Sequence, residues 1–407
     1  MEGTSKSLDE LHFANKASYA SQGIHIHCGS DVVGVDPEAK TVTVKDHDGE
    51  HQESYDKLLL SPGGVAVKPP LEGVDLDGIT TFRGPEDTQA VKDAMKTAKT
   101  AVVVGGGYIG LEVAEALALE GIETTIVDLA DRILNTYLDT EFTDILTEHA
   151  RQKGVKFVGG ERVEKFTGNE AGHVQSVVTD KGEYAADLVV LSMGVKPDAG
   201  WLKDTLKMDD HGYIEVDEYL QTSADDVYAG GDSTYIPYGP TGKPFPIALA
   251  TMARRQGVVA AMNALGHPMK MPSMNGTSAL RYFDYNFVTT GLSSSNADQY
   301  DGEVASTYVV EKRYPDFMRQ EDNEIMMKIF YDARSHRILG GQLMSKHDVS
   351  DGIVALSIAI SSEWTLEQLA LADIHFQPNF DRPWHYLNVL AMAALDWPFS
   401  GADKLLF

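Results

Sequence analysis

Alternation of apolar and polar positions over the first sixty residues predicts short strands separated by turns. Ile24, Ile26 and Cys28 fall on one side of GIHIHCG, and Val42 and Val44 on one side of KTVTVKD, with the polar turn DHDGE after the latter. A small antiparallel sheet is expected there, with Cys28 facing a core. Leu58 to Leu60 breaks the alternation. A wholly apolar run ending in Ser61-Pro62-Gly63-Gly64 reads as a buried parallel strand followed by a glycine turn.

From Lys99 the period changes. TAVVVGGGYIGLEVAEALALEGIETTIVDL reads as strand, glycine turn, helix and strand without interruption. DLVVLSM, Asp187 to Met193, is a further parallel strand ending in the turn Gly194-Val195-Lys196-Pro197. Short strands return from Gly212 and reach VYAGGDSTY, and after Ala250 the stretch TMARRQGVVAAMNAL reads as a helix. Beyond Pro272 the alternating segments FVTTGL, STYVVEKR, MMKIFYD and RILGGQLM predict strands, with helices at Ser350 to Ser361 and Trp384 to Leu395.

Two of these turns carry chemistry. Gly105-Gly106-Gly107-Tyr108-Ile109-Gly110 matches Gly-x-Gly-x-x-Gly between a strand and a helix. Gly105 permits the tight turn, Gly107 lets a pyrophosphate approach the backbone beside the positive helix end, and Gly110 lets helix and strand pack closely. Asp128 closes the next strand, twenty-three positions after Gly105, where a carboxylate binds the ribose hydroxyls of an adenosine. Its charge repels a 2'-phosphate, and Arg132, the nearest arginine after it, lies four residues on, so NADH is expected over NADPH. The turn Ala229-Gly230-Gly231-Asp232 brings a carboxylate to a second nucleotide site. With Leu58 to Gly64 it frames the NADH unit on both sides, the arrangement of a flavoprotein with two dinucleotide domains.

Composition narrows the setting. With 407 residues, 43% hydrophobic and 23% charged, the chain fits an ordinary globular protein of two or three domains. A formal net charge of −27 disfavours nucleic acid and anionic lipid as partners. The single cysteine, Cys28, excludes an intrachain disulfide. With no signal peptide and no run of eighteen apolar residues, a cytoplasmic protein that does not enter the membrane is expected.

The segments LLLSPGG, GGGYIGLEVAEA, DLADRILNTYLDTEFTDILTE, ADLVVLSMGVKP, GYIEVDEYLQTS, YAGGDSTYIPY, IALATMARRQG, LGGQLMSKHD and ADIHFQPNFDRPW together resemble the pyridine nucleotide-disulfide oxidoreductase family from about residue 20 to the C-terminus. Within it they resemble NADH peroxidases, and water-forming NADH oxidases share the same stretches. The resemblance implies an α/β fold of two Rossmann-like domains plus a C-terminal α+β dimerisation domain. Its expected segments are 1–95 (partial FAD domain), 96–212 (NADH domain), 213–272 (returning FAD segment) and 273–407 (interface domain). It implies that Ser61, Pro62, Gly63, Gly64, Arg83, Asp232 and Ala250 meet FAD, and that Ile109, Tyr137 and Gly194 join Gly105, Gly107, Tyr108, Gly110 and Asp128 in contacting NADH. It also implies a homodimer or homotetramer in which Phe376-Gln377-Pro378 approaches the flavin of the partner subunit. Disulfide reductases carry a catalytic histidine there. His375 is adjacent, and on a strand it would point to the other face.

The chain also departs from the family. No Gly-x-Gly-x-x-Gly precedes Gly105, so the ADP half of the FAD site is expected to be absent, as is the redox cysteine that cycles through a sulfenic acid. A truncated form of a longer peroxidase and a natural variant that lost peroxide chemistry both fit. The expected activity is therefore FAD-dependent reduction of hydrogen peroxide by NADH, with no catalytic cysteine in this sequence. An NADH oxidase using oxygen, or a non-catalytic NADH-binding dimer, is the alternative.

Overall fold

In the computed structural model the described residues are 10, 15–321 and 324–397. The unbroken apolar runs form the centre of a five-stranded parallel sheet, because a strand covered by helices or chain on both faces needs apolar residues at every position. Its strands lie in the order Ile79–Thr81, Leu188–Leu191, Thr100–Val104, Glu123–Val127 and Val155–Val158. Ala101 to Val104 and Leu188 to Leu191 are all buried. The helices Tyr108–Leu119 and Thr140–Gln152 make the crossovers. Ile79–Thr81 belongs to the first of the four expected segments yet hydrogen-bonds into this sheet, so a division at residue 95 does not follow the pairing.

Leu58–Leu60 pairs in parallel with Val227–Ala229, which brings their glycine turns to one end. Val195–Pro197, expected as a turn, is instead a short strand antiparallel to Gly64–Ala66. It ties the parallel sheet to the Leu58–Gly64 segment. The antiparallel sheet expected near the start is formed by Asp31–Asp36, Thr41–Asp46 and Gly49–Ser54. Residues 24 to 28 lie outside it, and Cys28 is exposed. Among the described residues the alternation in IHIHC pairs with no strand, and its periodicity produces no buried face there.

The C-terminal region is an antiparallel sheet in the order Ser278–Tyr282, Tyr285–Gly291, Ile338–Ser345, Glu324–Asp332 and Val304–Lys312. One face packs on the helices Ser350–Ser361, Leu366–Ala370 and Tyr386–Ala394. On the other, Tyr282, Phe287, Met326 and Met344 join Val103, Leu111 and Phe142 of the nucleotide-binding unit in one apolar core. That continuous core fixes the cleft between the two regions. His375 lies in irregular chain, not on the expected strand. Among the described residues no helix is long and apolar enough to cross a membrane.

Candidate nucleotide and flavin site

At the carboxyl edge of the parallel sheet the chain leaves each strand through a turn, and these turns wall a cavity of about 900 Å³. Gly105 has φ +110, and a Cβ there would stand 2.3 Å from the Ser192 carbonyl oxygen. Only glycine fits that combination. Gly110 backs the turn, its missing Cβ lying 1.9 Å from the Gly105 carbonyl oxygen, so helix and turn touch. At Gly107, the N-cap of Tyr108–Leu119, a Cβ would meet nothing within 4 Å. The backbone amides of that helix end therefore open directly on the cavity, the geometry that receives a pyrophosphate.

Asp128 stands at the end of the adjoining strand. Its Oδ2 accepts the Gly106 N–H at 2.5 Å and its Oδ1 the Ala130 N–H at 2.8 Å, which orients the carboxylate into the cavity rim. The Tyr108 and Tyr137 rings pack at a tilt of 32° with centroids 4.1 Å apart, and the Tyr108 hydroxyl lies 2.7 Å from Ser278 Oγ. Burial pushes both phenols above their ordinary range, so they are neutral donors at any physiological pH. Gly194 and Arg83 complete the walls that the sequence singled out.

The remaining expected residues sit beside this cavity. Ser61, Pro62, Gly63, Gly64, Asp232 and Ala250 are not among its walls. Of these, Asp232, Gly63 and Gly64 meet Arg83, whose Nη2 is 3.0 Å from Asp232 Oδ2, within 4.0 Å of where a Gly63 Cβ would stand, and 3.8 Å from that of Gly64. Gly63 and Gly231 have φ of +72 and +85, and a Cβ on Gly231 would come within 3.0 Å of Ser61 Oγ. The Gly231 N–H donates to Gln256 Oε1 at 2.8 Å, which fixes the turn against the helix Ala250–Ala264. Two glycine turns at the ends of parallel strands, a carboxylate and one arginine fit the ribityl end of a flavin dinucleotide. Among the described residues Gly105–Gly110 is the one Gly-x-Gly-x-x-Gly turn.

Sequence reasoning missed several walls. Glu161 and Arg162 follow the strand Val155–Val158, whose place beside Asp128 is given by the strand order of a Rossmann sheet and could have been anticipated. Tyr238, Phe245 to Leu249, Asn275 and Asn296 arrive from the returning segment and the C-terminal region, and no local motif marks them. Tyr238 and Phe245, both on the cavity wall, stack with centroids 4.8 Å apart.

Comparisons agree with this geometry. Residues 1–257 match the family described as pyridine nucleotide-disulphide oxidoreductase, and residues 277–386 its dimerisation domain. An NADH oxidase of Enterococcus faecalis is 38% identical over 97% of this chain and 89% of its own length. The structure of a water-forming NADH oxidase from Lactobacillus brevis bound to NADH superposes with a TM-score of 0.93 at 36% identity, covering 97% of this chain and 88% of that one. An FAD-dependent pyridine nucleotide-disulphide oxidoreductase from Desulfovibrio vulgaris gives 0.78 at 31% identity, covering 90% of this chain and 89% of that one.

Proposed function

The chain belongs to the pyridine nucleotide-disulphide oxidoreductase family, and from that premise we propose that it is a flavin-dependent NADH oxidase that passes electrons from NADH to oxygen. The observation that carries this reading is the cavity joining the Gly105–Gly110 turn and Asp128 to Arg83 beside the second pair of glycine turns. The Gly107 helix end holds the pyrophosphate, Asp128 the adenosine ribose, and the Tyr108–Tyr137 wall the nicotinamide half. Ser61 to Gly64, Arg83, Asp232 and Ala250 hold the flavin. When bound, FAD supplies the two-electron relay between nicotinamide and oxidant.

The oxidase reading takes precedence over the peroxidase one because the similar proteins named above include NADH oxidases. We assign residues 1–95, apart from the strand Ile79–Thr81 that pairs into the NADH-side sheet, and 213–272 to the flavin side, 96–212 to the NADH side and 273–407 to an interface through which two copies associate. Exposed Phe376 and Gln377 then face the partner subunit.

The test is direct. The purified chain, incubated with FAD and freed of excess, should retain about one flavin per chain, and NADH added without oxygen should bleach its visible absorbance. Absence of retained flavin, or flavin that NADH leaves oxidised, would sink the proposal.

A further inference from the structure

One buried ion pair joins the cavity wall to the C-terminal sheet. The segment after Asp128 runs along the wall as Asn135, Thr136 and Tyr137 and ends at Asp139, the N-cap of the helix Thr140–Gln152. An aspartate at that position ordinarily accepts a backbone N–H from the first turn of its own helix. Asp139 makes no such cap. Its carboxylate is turned instead to the C-terminal region, where Lys328 Nζ lies 2.7 Å from Oδ2, and Gln342 Nε2 and the Ser294 N–H each donate to Oδ1 at 3.2 Å. The Ser294 hydroxyl also donates to Oδ2. Gln342 returns the contact through its Oε1, which accepts the Asp139 N–H at 3.0 Å. Asp139, Lys328 and Gln342 are all buried.

Few residues separate this clamp from the wall. Tyr137 stands two positions before Asp139, and the hydroxyl of Ser295, next to Ser294, donates to the Thr136 carbonyl at 3.2 Å. The Tyr137 ring packs on that of Tyr108, which in turn stacks on Phe287 of the C-terminal sheet with centroids 5.8 Å apart. At the other end of the segment Leu134 has φ +53, a conformation that a leucine holds only where its surroundings impose it, and its N–H donates to the Gly106 carbonyl at 2.8 Å. A buried ion pair often adds no stability over apolar side chains of the same size. What it adds here is direction, since donors from three separate segments converge on one carboxylate.

We propose that Lys328 is a positioning residue for hydride transfer: it holds Asp139, and through it Tyr137, so that the Tyr108–Tyr137 wall presents the nicotinamide ring to the flavin. Lys328 itself is not among the cavity walls and acts only through the segment it clamps. The inference rests on the proposed function, since it takes the cavity as the NADH site.

Two readouts on the flavin-loaded full chain separate placement of the nicotinamide from occupancy of the rest of the site. ADP-ribose, which lacks the nicotinamide ring, is titrated by calorimetry, and bleaching of the flavin by saturating NADH without oxygen is followed by stopped flow. Lys328→Met should slow bleaching about tenfold or more while changing ADP-ribose affinity less than about threefold, because a small misplacement of a reacting group acts on the rate. Lys328→Arg, which keeps the charge, should recover part of the rate. Ser294→Ala leaves the ion pair and removes one hydrogen bond to Asp139, so it should slow bleaching by a smaller factor in the same direction, and it carries the test if Lys328→Met does not fold. Reduced stability with unchanged bleaching would make the ion pair merely structural and overturn the inference, as would a loss of ADP-ribose affinity equal to the loss of rate. A wild-type chain whose flavin NADH does not bleach would instead overturn the proposed function, and the inference with it.

Discussion

In the proposed nucleotide site Asp128 and Gly105 act for different reasons. Asp128 holds its carboxylate with two backbone N–H groups before any ligand arrives, so little ordering is left to be done on binding. Asp128→Ala removes a charge-assisted hydrogen-bond acceptor for the ribose, worth about 1.5–3 kcal/mol, and kcat/KM for NADH should fall by about 10- to 100-fold in steady-state assays. Gly105 acts through the backbone alone. Gly105→Ala combines a positive φ with a Cβ 2.3 Å from a carbonyl oxygen, and should cost about 2–4 kcal/mol in urea unfolding as well as NADH binding. Both residues are legible in the sequence, because a strand, a glycine turn and a helix are consecutive and their spacing is set by local geometry. Cys28 shows the converse. Its register with Ile24 and Ile26 is visible, but whether alternation makes a buried face depends on a neighbouring strand, and the sequence does not say that none is there.

The segment Ile133 to Asp139 walls the cavity through Asn135, Thr136 and Tyr137 while being anchored at both ends. The Leu134 N–H donates to the Gly106 carbonyl at 2.8 Å. At the other end Asp139 is buried with Lys328 of the strand Glu324–Asp332 at 2.7 Å, and accepts from Gln342 Nε2 and Ser294. Burial pushes the Asp139 carboxyl upward, but Lys328, Ser294 and Gln342 together hold it below its ordinary value. For Lys328 burial acts downward, and Asp139 with Glu141 outweighs it, raising the ammonium above its ordinary value. Asp139 therefore contributes stability present above about pH 4 and lost as pH falls through its lowered folded pKa. Lys328 contributes below about pH 10.4, and that contribution is lost as pH rises through its raised folded pKa. Lys328→Met leaves Asp139 buried and unpaired, a loss of about 3–5 kcal/mol at pH 7 by urea unfolding. The gap should narrow as pH falls, because Asp139 without Lys328 takes up a proton at a higher pH than the paired carboxyl does, and Lys328→Met with Asp139→Asn should be less destabilised than Lys328→Met alone. None of this pairing could be read locally, since its partners lie nearly two hundred residues apart in sequence and meet only once the two regions share a core.

At the scale of the molecule, the order of strands and helices was legible because long apolar runs and glycine turns set the parallel sheet, and alternating runs the C-terminal sheet. The cavity was legible only on its first half. Tyr238, Phe245 to Leu249 and Asn275 are brought to it by chain return, which no single segment encodes. The C-terminal region also exposes Val354 and Ile358 on one face of Ser350–Ser361, at 54% and 60% of their surface, within the segment that matches a dimerisation domain. Exposed apolar side chains on one helix face mark an association surface. Sedimentation should show a dimer or larger assembly for the wild-type chain and a monomer for Val354→Glu with Ile358→Glu.

The most direct test of the central claim is the oxidant. With FAD bound, NADH consumption followed together with oxygen uptake should proceed in air without added peroxide and stop when oxygen is removed. NADH consumption that needs hydrogen peroxide and continues under argon would contradict an oxidase and restore the peroxidase reading.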